Sequence, residues 1–521
     1  MKYIGPFFRM NSLSQENIYG QLFHLSKEAI KTIALSSRCG ITSSFRSSKK
    51  NHPTKDISTL SNFSPLLCVY KKSSPSFIRS KENLGFDENT FKKTIVPFTN
   101  ALFTLSILEL SDYYSNYPRL CKNMPSMDKP YYLLSKKQLE FYSNNLRNYE
   151  GVFIERKNIG DNSVKECKII DTEKGFKFPN QAFMMNAYFL FSMYYRDDSI
   201  SNEYEDFASQ ILDMFINSKE ELYNVSFEDG CLLLLCFNIL CDYRQEDACK
   251  DLIIDLSDFM ISKYESKDYL SSDITNTSLL ALNLLESYKH TDIIYFKDKG
   301  EEIVNSLEGI YDSSNCIFTK TSNKKEIKYS ADEICFYFLA LLRYNPNTSN
   351  ITHKNMITSI YKNLIVNSGI ILSWPKAPTL DEAERYRKLS MHSSDMIEES
   401  FFRSDTIVDT NSKVANVFNK YITYSRKKKS FTSPKQSFDS EKNMLIFFYI
   451  IHYFRDYYST QMGFLDSPTE NSTTTDISIE NNANIVNSID TSTTEDNIEL
   501  PDNESNNSSS SICETINDNT N

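Results

Sequence analysis

Residues 228–243 set the pattern on which the chain is built: a polar start, Glu228-Asp229-Gly230, an apolar run from Cys231 to Cys241 broken at Asn238, and a closing Tyr243. The same order returns at Asn180–Tyr195, Asp273–Tyr288, Ser330–Tyr344 and Ser440–Tyr453, and more loosely at Asn100–Tyr114, which makes six copies. A helix that is apolar nearly all round is buried on more than one side, so these six segments predict an inner layer. Between them run segments of a second kind. Residues 203–220 place Phe207, Ile211, Leu212, Met214 and Phe215 on one face, with Glu205, Gln210, Asp213 and Lys219 largely opposite. Segments 135–149, 247–264, 297–311 and 353–366 behave alike, and one face of each is expected to meet water.

The alternation predicts an all-α fold in which helical hairpins close into a ring, because an open solenoid would repeat more regularly. Successive closing tyrosines lie 81, 48, 45, 56 and 109 residues apart, so the extra length falls between helices rather than inside them. Ahead of the ring, Ser14–Leu35 carries a helical stripe of Ile18, Leu22, Leu25, Ile30 and Ile33 that is expected to dock on the main body. From Ser36 to Asn83 the chain is rich in serine and lysine, with only Leu66–Tyr70 reading as a strand. Three parts follow: a basic, largely irregular segment 1–88, a helical ring 89–462 with an insertion at 369–436, and a disordered tail 463–521 rich in Ser, Thr, Asn and acid.

Charge sharpens this division. The chain's formal net charge is -11, yet residues 466–521 alone hold twelve acidic side chains and no lysine or arginine. Residues 1–95 hold fifteen Lys and Arg against six Asp and Glu. A basic head and an acidic tail suit protein partners; aromatics are too sparse in the head to make nucleic acid an expected partner. The N-terminal stretch is interrupted by Pro6, Arg9, Asn11, Ser14 and Glu16, so no export leader is expected, and no apolar run reaches the length of a membrane span. Eleven irregularly spaced cysteines with no CxxC pair predict a reduced, cytoplasmic chain without a metal site.

Six inner helices, about six outer ones, and short extended pieces on the way inward (Tyr149–Phe153, Cys316–Phe318, Ser368–Trp374) resemble the (α/α)6 toroid of the six-hairpin glycosidase superfamily. The resemblance is architectural, covers roughly residues 90–460, and implies a substrate cleft at the ring's mouth, where connections enter the inner helices. It also implies paired carboxylates for acid/base work on a carbohydrate or glycoconjugate, with no cofactor.

Carboxylates do stand at the starts of the inner helices: Glu228, Asp229, Asp273, Asp332 and Glu333, with Asn180 beside them. Glycoside hydrolysis needs one protonated carboxyl and one ionised carboxylate about 5 to 10 Å apart, and Asp229 with Asp332 is the expected pair. The competing assignment makes each a helix cap, contributing about 1 kcal/mol without chemistry. Tyr149, Tyr329 and Trp374 are the expected sugar-stacking rings, or else core plugs. No paired histidines are evident at the mouth, and no phosphate loop or nucleophile elbow occurs. The sequence thus supports a carbohydrate-binding ring with glycoside hydrolase chemistry, against a non-catalytic helical scaffold.

Overall fold

The computed structural model describes residues 15–44, 60, 63–79, 84–116, 126–172, 175–244, 246–320, 324–344, 351–376, 413–432 and 435–455. The acidic tail, the charged piece at 380–389 and the rest of the 377–412 stretch lie outside the described residues. The described chain is mostly helical with several small antiparallel sheets, so the expectation of an all-α protein holds for the framework and not for its connections.

Twelve helices carry the framework: α1 Gln15–Ser36, α2 Pro97–Asn116, α3 Asp128–Asn145, α4 Phe178–Tyr194, α5 Ser201–Asn217, α6 Phe227–Tyr243, α7 Asp247–Glu265, α8 Ile274–Thr291, α9 Ile294–Gly309, α10 Ala331–Arg343, α11 Ile351–Ile360 and α12 Ser440–Arg455. A six-residue π-helical stretch, Tyr361–Val366, continues α11. The even-numbered helices are the six apolar repeats. Their middle turns are buried throughout, as in Cys231–Cys241 and Met444–Ile451. The odd-numbered helices bury a single face, as α5 does with Tyr204, Ala208, Ile211, Leu212 and Phe215.

Neighbour relations follow from that difference. α2 packs on α4, α4 on α6, α6 on α8, α8 on α10, α10 on α12, and α12 returns to α2. The odd helices flank this circuit, with α3 on α2, α5 on α4, α7 on α6, α9 on α8 and α11 on α10. α1 covers α12 and α2, filling the sixth flanking place. Gly230 lets one of these layers close tightly, because a Cβ there would stand 2.3 Å from Met260 Sδ of α7.

Local chemistry fixes the helix starts. Ser226 Oγ accepts from Asp229 N at 3.0 Å, Asp273 accepts from Asn276 N at 3.2 Å, and Ser330 with Glu333 forms a capping box on α10. The connections into α2, α4, α10 and α12 contribute the small sheets, of which the largest run Glu326–Ser330 against Tyr421–Ser425 against Ser430–Thr432, and Thr94–Ile95 against Arg156–Asn158 against Ile169–Asp171. The basic run Arg426–Lys429 is the turn between two of these strands.

One device recurs where extended chain meets helix. Asn100, Gln181 and Asn443 each occupy the fourth position of α2, α4 and α12. The Asn100 amide accepts from Val69 N at 2.7 Å and donates to Val69 O at 3.3 Å. Gln181 holds Phe153 the same way at 2.9 and 2.8 Å, and Asn443 holds Phe418 at 2.9 and 3.1 Å. A side-chain amide thereby completes the backbone bonding of a buried residue on the edge that its strand or bridge partner (Gly40 for Val69, Arg147 for Phe153, Ile371 for Phe418) leaves open, which is the requirement buried peptide groups impose. Replacing Asn443 by Ala leaves the Phe418 N–H and C=O unpaired; the expected loss is about 2 to 4 kcal/mol of unfolding free energy in urea titration. The exposed Ser115→Ala change should leave the midpoint unmoved.

Candidate functional site

The starts of the even helices gather a collar of charge. Lys177 precedes α4, Glu228 and Asp229 open α6, Asp273 caps α8, Asp332 and Glu333 open α10, and Glu441 with Lys442 opens α12. The entering connections are short at α6 and α8, spanning 218–226 and 266–273, and sheet-bearing elsewhere. Glu228, Asp229 and Asp273 therefore stand on the low side of the collar.

Each sequence-predicted residue has a definite place. Asp332 forms an ion pair with Lys442 and accepts from Ser330 Oγ. Glu333 accepts from Ser330 N at 3.1 Å and pairs with Lys320 at 2.5 Å; burial raises its pKa, and Lys320 opposes that rise. Asp273 accepts from both the backbone N and the side-chain amide of Asn276, at 3.2 and 2.8 Å. Across α12, Glu441 pairs with Lys71 at 2.7 Å, and Asp439 lies 3.6 Å from Lys72 and 3.5 Å from Lys420. Among the described residues, the carboxylates of Glu228 and Asp229 carry neither a hydrogen bond nor an ion pair.

Glu228 reaches solvent, and its surroundings nonetheless favour the protonated carboxyl. Partial loss of hydration raises its pKa above the ordinary value, and the charges of Asp229, Asp273 and Glu441 push the same way against Lys177. Three even helices thus act on one carboxyl. The expected stacking rings divide. Tyr149 is 95% exposed at a turn tip, while Tyr329 and Trp374 are buried, Tyr329 donating to Phe318 O at 2.7 Å. Phe176, exposed just ahead of α4 and edge-on to Phe178 at 4.8 Å, is an available ring that sequence reasoning passed over because it stands outside the repeated pattern.

The opposite ends of the even helices hold a second cluster that sequence reasoning missed. Glu109 of α2 is fully buried and receives Arg455 and His452 of α12 and the hydroxyl of Tyr243 of α6, with His452 Nδ1 at 2.8 Å. His452 Nε2 meets Asp242 at 3.0 Å, and His290 of α8 lies 3.4 Å from the other oxygen of Asp242. Arg455 also donates to Tyr194 of α4 at 2.7 Å. Arg343 of α10 pairs with Glu286 of α8 and donates to Tyr449 of α12 at 2.6 Å. All six even helices are joined in this way. The two histidines absent from the mouth are therefore paired, through one aspartate, at the far end. Cations there answer the negative ends of the helix dipoles as well as the carboxylates.

Burial alone would raise the Asp242 carboxyl, but the nearby imidazoles of His290 and His452 outweigh it and hold the group well below the usual carboxylate range. Burial would likewise lower His290, and Asp242 more than compensates, raising the imidazole. Two cavities open at this end, one of about 380 Å³ beside Tyr243, Arg196 and Arg244, the other of about 430 Å³ beside Glu286, Lys289 and Arg343. Among the described residues no group of three or more His, Cys, Asp or Glu side chains is disposed to hold a metal ion, and no helix is long and apolar enough to cross a membrane.

Breaking the Glu109 hub by Arg455→Met leaves a buried carboxylate short of its partner, and equilibrium unfolding should register a loss of about 3 to 5 kcal/mol. The pH dependence has two limbs. The depressed Asp242 contributes stability above its unfolded pKa of about 3.9 and loses it as pH falls through the folded value. The raised His290 contributes fully below about pH 6.5 and loses that contribution as pH rises through its folded value. Asp242→Asn should flatten both limbs of a stability–pH profile measured by thermal unfolding.

No family model matches this chain, and no curated protein matches it either. Among solved structures, a selenomethionine derivative of a GH76 alpha-mannanase of Bacteroides thetaiotaomicron aligns at 10% identity over 71% of this chain and 90% of that chain, with a TM-score of 0.38.

Proposed function

We propose that the circuit of even helices is an (α/α)6 toroid whose mouth, at the helix starts, binds a carbohydrate or glycoconjugate and hydrolyses a glycosidic bond. The observation that carries this reading is Glu228, a solvent-reaching carboxyl whose pKa is raised by partial desolvation and by acids from neighbouring helices. Such a group keeps its proton closer to neutral pH than an ordinary glutamate, as a general acid must. In this reading Glu228 donates to the leaving oxygen, and Asp229 or Asp273 activates water or attacks. Asp332 and Glu333, already engaged with Lys442 and Lys320, hold ligand hydroxyls instead of transferring protons. Tyr149 and Phe176 offer the exposed rings. Residues 89–462 form the ring in this account, α1 of the leading segment completes it, and residues 463–521 form a separate acidic tail.

A second reading is favoured by a specific observation: Asp273, Asp332 and Glu333 are all engaged as caps or ion-pair partners. On that reading the ring is a cytoplasmic, non-catalytic scaffold, and the basic head and acidic tail dock other proteins.

The two readings separate in one experiment. Purified protein is assayed by calorimetry against an oligosaccharide panel and by release of aryl leaving groups from aryl glycosides. The enzyme reading expects Glu228→Gln to lower turnover by about 10² to 10⁴-fold with the unfolding midpoint unchanged. Asp229→Asn should lower turnover similarly if Asp229 is the partner, and leave it intact if Asp273 is. Absence of binding and turnover by the wild-type protein across the panel would favour the scaffold.

A further inference from the structure

The α6–α7 corner holds a pair of thiols outside both clusters. Cys241 lies in the last turn of α6 and Cys249 in the first turn of α7, and both side chains are fully buried. Their sulfurs are 2.9 Å apart, against about 2.04 Å in a formed disulfide. Among the described residues this is the one pair of cysteines in hydrogen-bond contact; Cys231 and Cys236, on the same helix, do not share it. The two sulfurs already meet between the last turn of α6 and the first turn of α7, eight residues apart in sequence.

We propose that Cys241 and Cys249 form an intrachain disulfide that cross-links the end of α6 to the start of α7. The chemistry runs by thiol–disulfide exchange with a small-molecule disulfide such as oxidised glutathione. The thiolate of one of the two cysteines attacks one sulfur of the oxidant and expels one glutathione thiolate. The thiol of the other, giving up its proton, then attacks the mixed disulfide and expels the second glutathione. Two protein thiols lose two electrons, and two glutathione thiols are formed.

The hydrogen bond between the two sulfurs favours the thiolate of one partner while the other keeps its proton, which is the arrangement an attacking and a resolving sulfur need. Asp242, adjacent in sequence to Cys241, is the residue that bridges His290 and His452. The cross-link consequently fixes the corner on which the ion network at the helix ends depends. Since both thiols are buried, exchange proceeds as the chain folds or through local opening of the corner.

Peptide mapping tests this directly. Full-length protein is incubated with oxidised glutathione, unfolded in the presence of an alkylating reagent, and digested with trypsin without reduction. Cleavage after Lys219, Arg244 and Lys250 releases a short peptide, 245–250, that contains Cys249 as its single cysteine. The proposal expects this peptide joined to 220–244, with fragment masses placing the bond on Cys241. It also expects two fewer alkylated thiols than the eleven of the reduced chain, and a rise in unfolding midpoint that reductant reverses. A Cys249 that stays alkylated after prolonged oxidation, or that is joined to Cys231 or Cys236, would overturn it. Cys249→Ser should abolish both the linked peptide and the reductant-sensitive rise; should that variant not fold, the wild-type map decides alone.

Discussion

A fully buried carboxylate has to be matched, and Glu109 is the residue on which closure of the helix circuit turns. Its partners come from the last helix of the circuit, through Arg455 and His452, and from α6 through Tyr243. The first and last even helices are therefore tied by charge as well as by packing. An apolar surface alone would let α12 slide along α2, because hydrophobic contact is non-directional. A desolvated ion pair with hydrogen bonds fixes the register, since a shifted helix would strand Glu109 without donors. The same logic extends through Asp242, His290, Glu286 and Arg343 until every even helix has contributed a group.

The two ends of the circuit are built differently. At the helix ends the charges are interleaved and satisfied at the interior. At the helix starts they are spread over a collar in which Lys71, Lys320 and Lys442 neutralise Glu441, Glu333 and Asp332, leaving Glu228 and Asp229 on the side with the shortest walls. Paired charge is concentrated at the helix ends, and the carboxylates without a partner stand at the helix starts. That separation lets the helix starts carry unpaired acidic groups without disturbing the network that ties the circuit together.

The repeat was legible in the sequence because a helix buried all round has a distinctive composition. The starts and ends of α6, α10 and α12 fall within a few residues of the expected Glu228–Tyr243, Ser330–Tyr344 and Ser440–Tyr453. Small strands such as Lys72–Ser73 and Thr94–Ile95 were not legible, since each is two residues long and depends on a partner distant in sequence. The amide clamps escaped notice for a related reason: Asn100 reads only as the polar start of a repeat, and nothing local marks Asn443, until the extended chain that they hold is in place. At the starts of the even helices, the residue types and helix positions were readable, but their partners were not. Nothing local distinguishes Asp332, paired with Lys442 more than a hundred residues away, from the unpaired Asp229. The histidine pair was hidden the same way, because Asp242, His290 and His452 meet only after three helices are packed.

The central claim is that the proposed mouth holds a carboxyl whose pKa is raised by partial burial and by its acidic neighbours. Site-resolved NMR titration of the Glu228 side-chain carboxyl measures this without a substrate. The account predicts a midpoint above the ordinary glutamate value of about 4.3, moving back toward it in Asp229→Asn and Asp273→Asn variants. A midpoint at or below the ordinary value, insensitive to both substitutions, would contradict it.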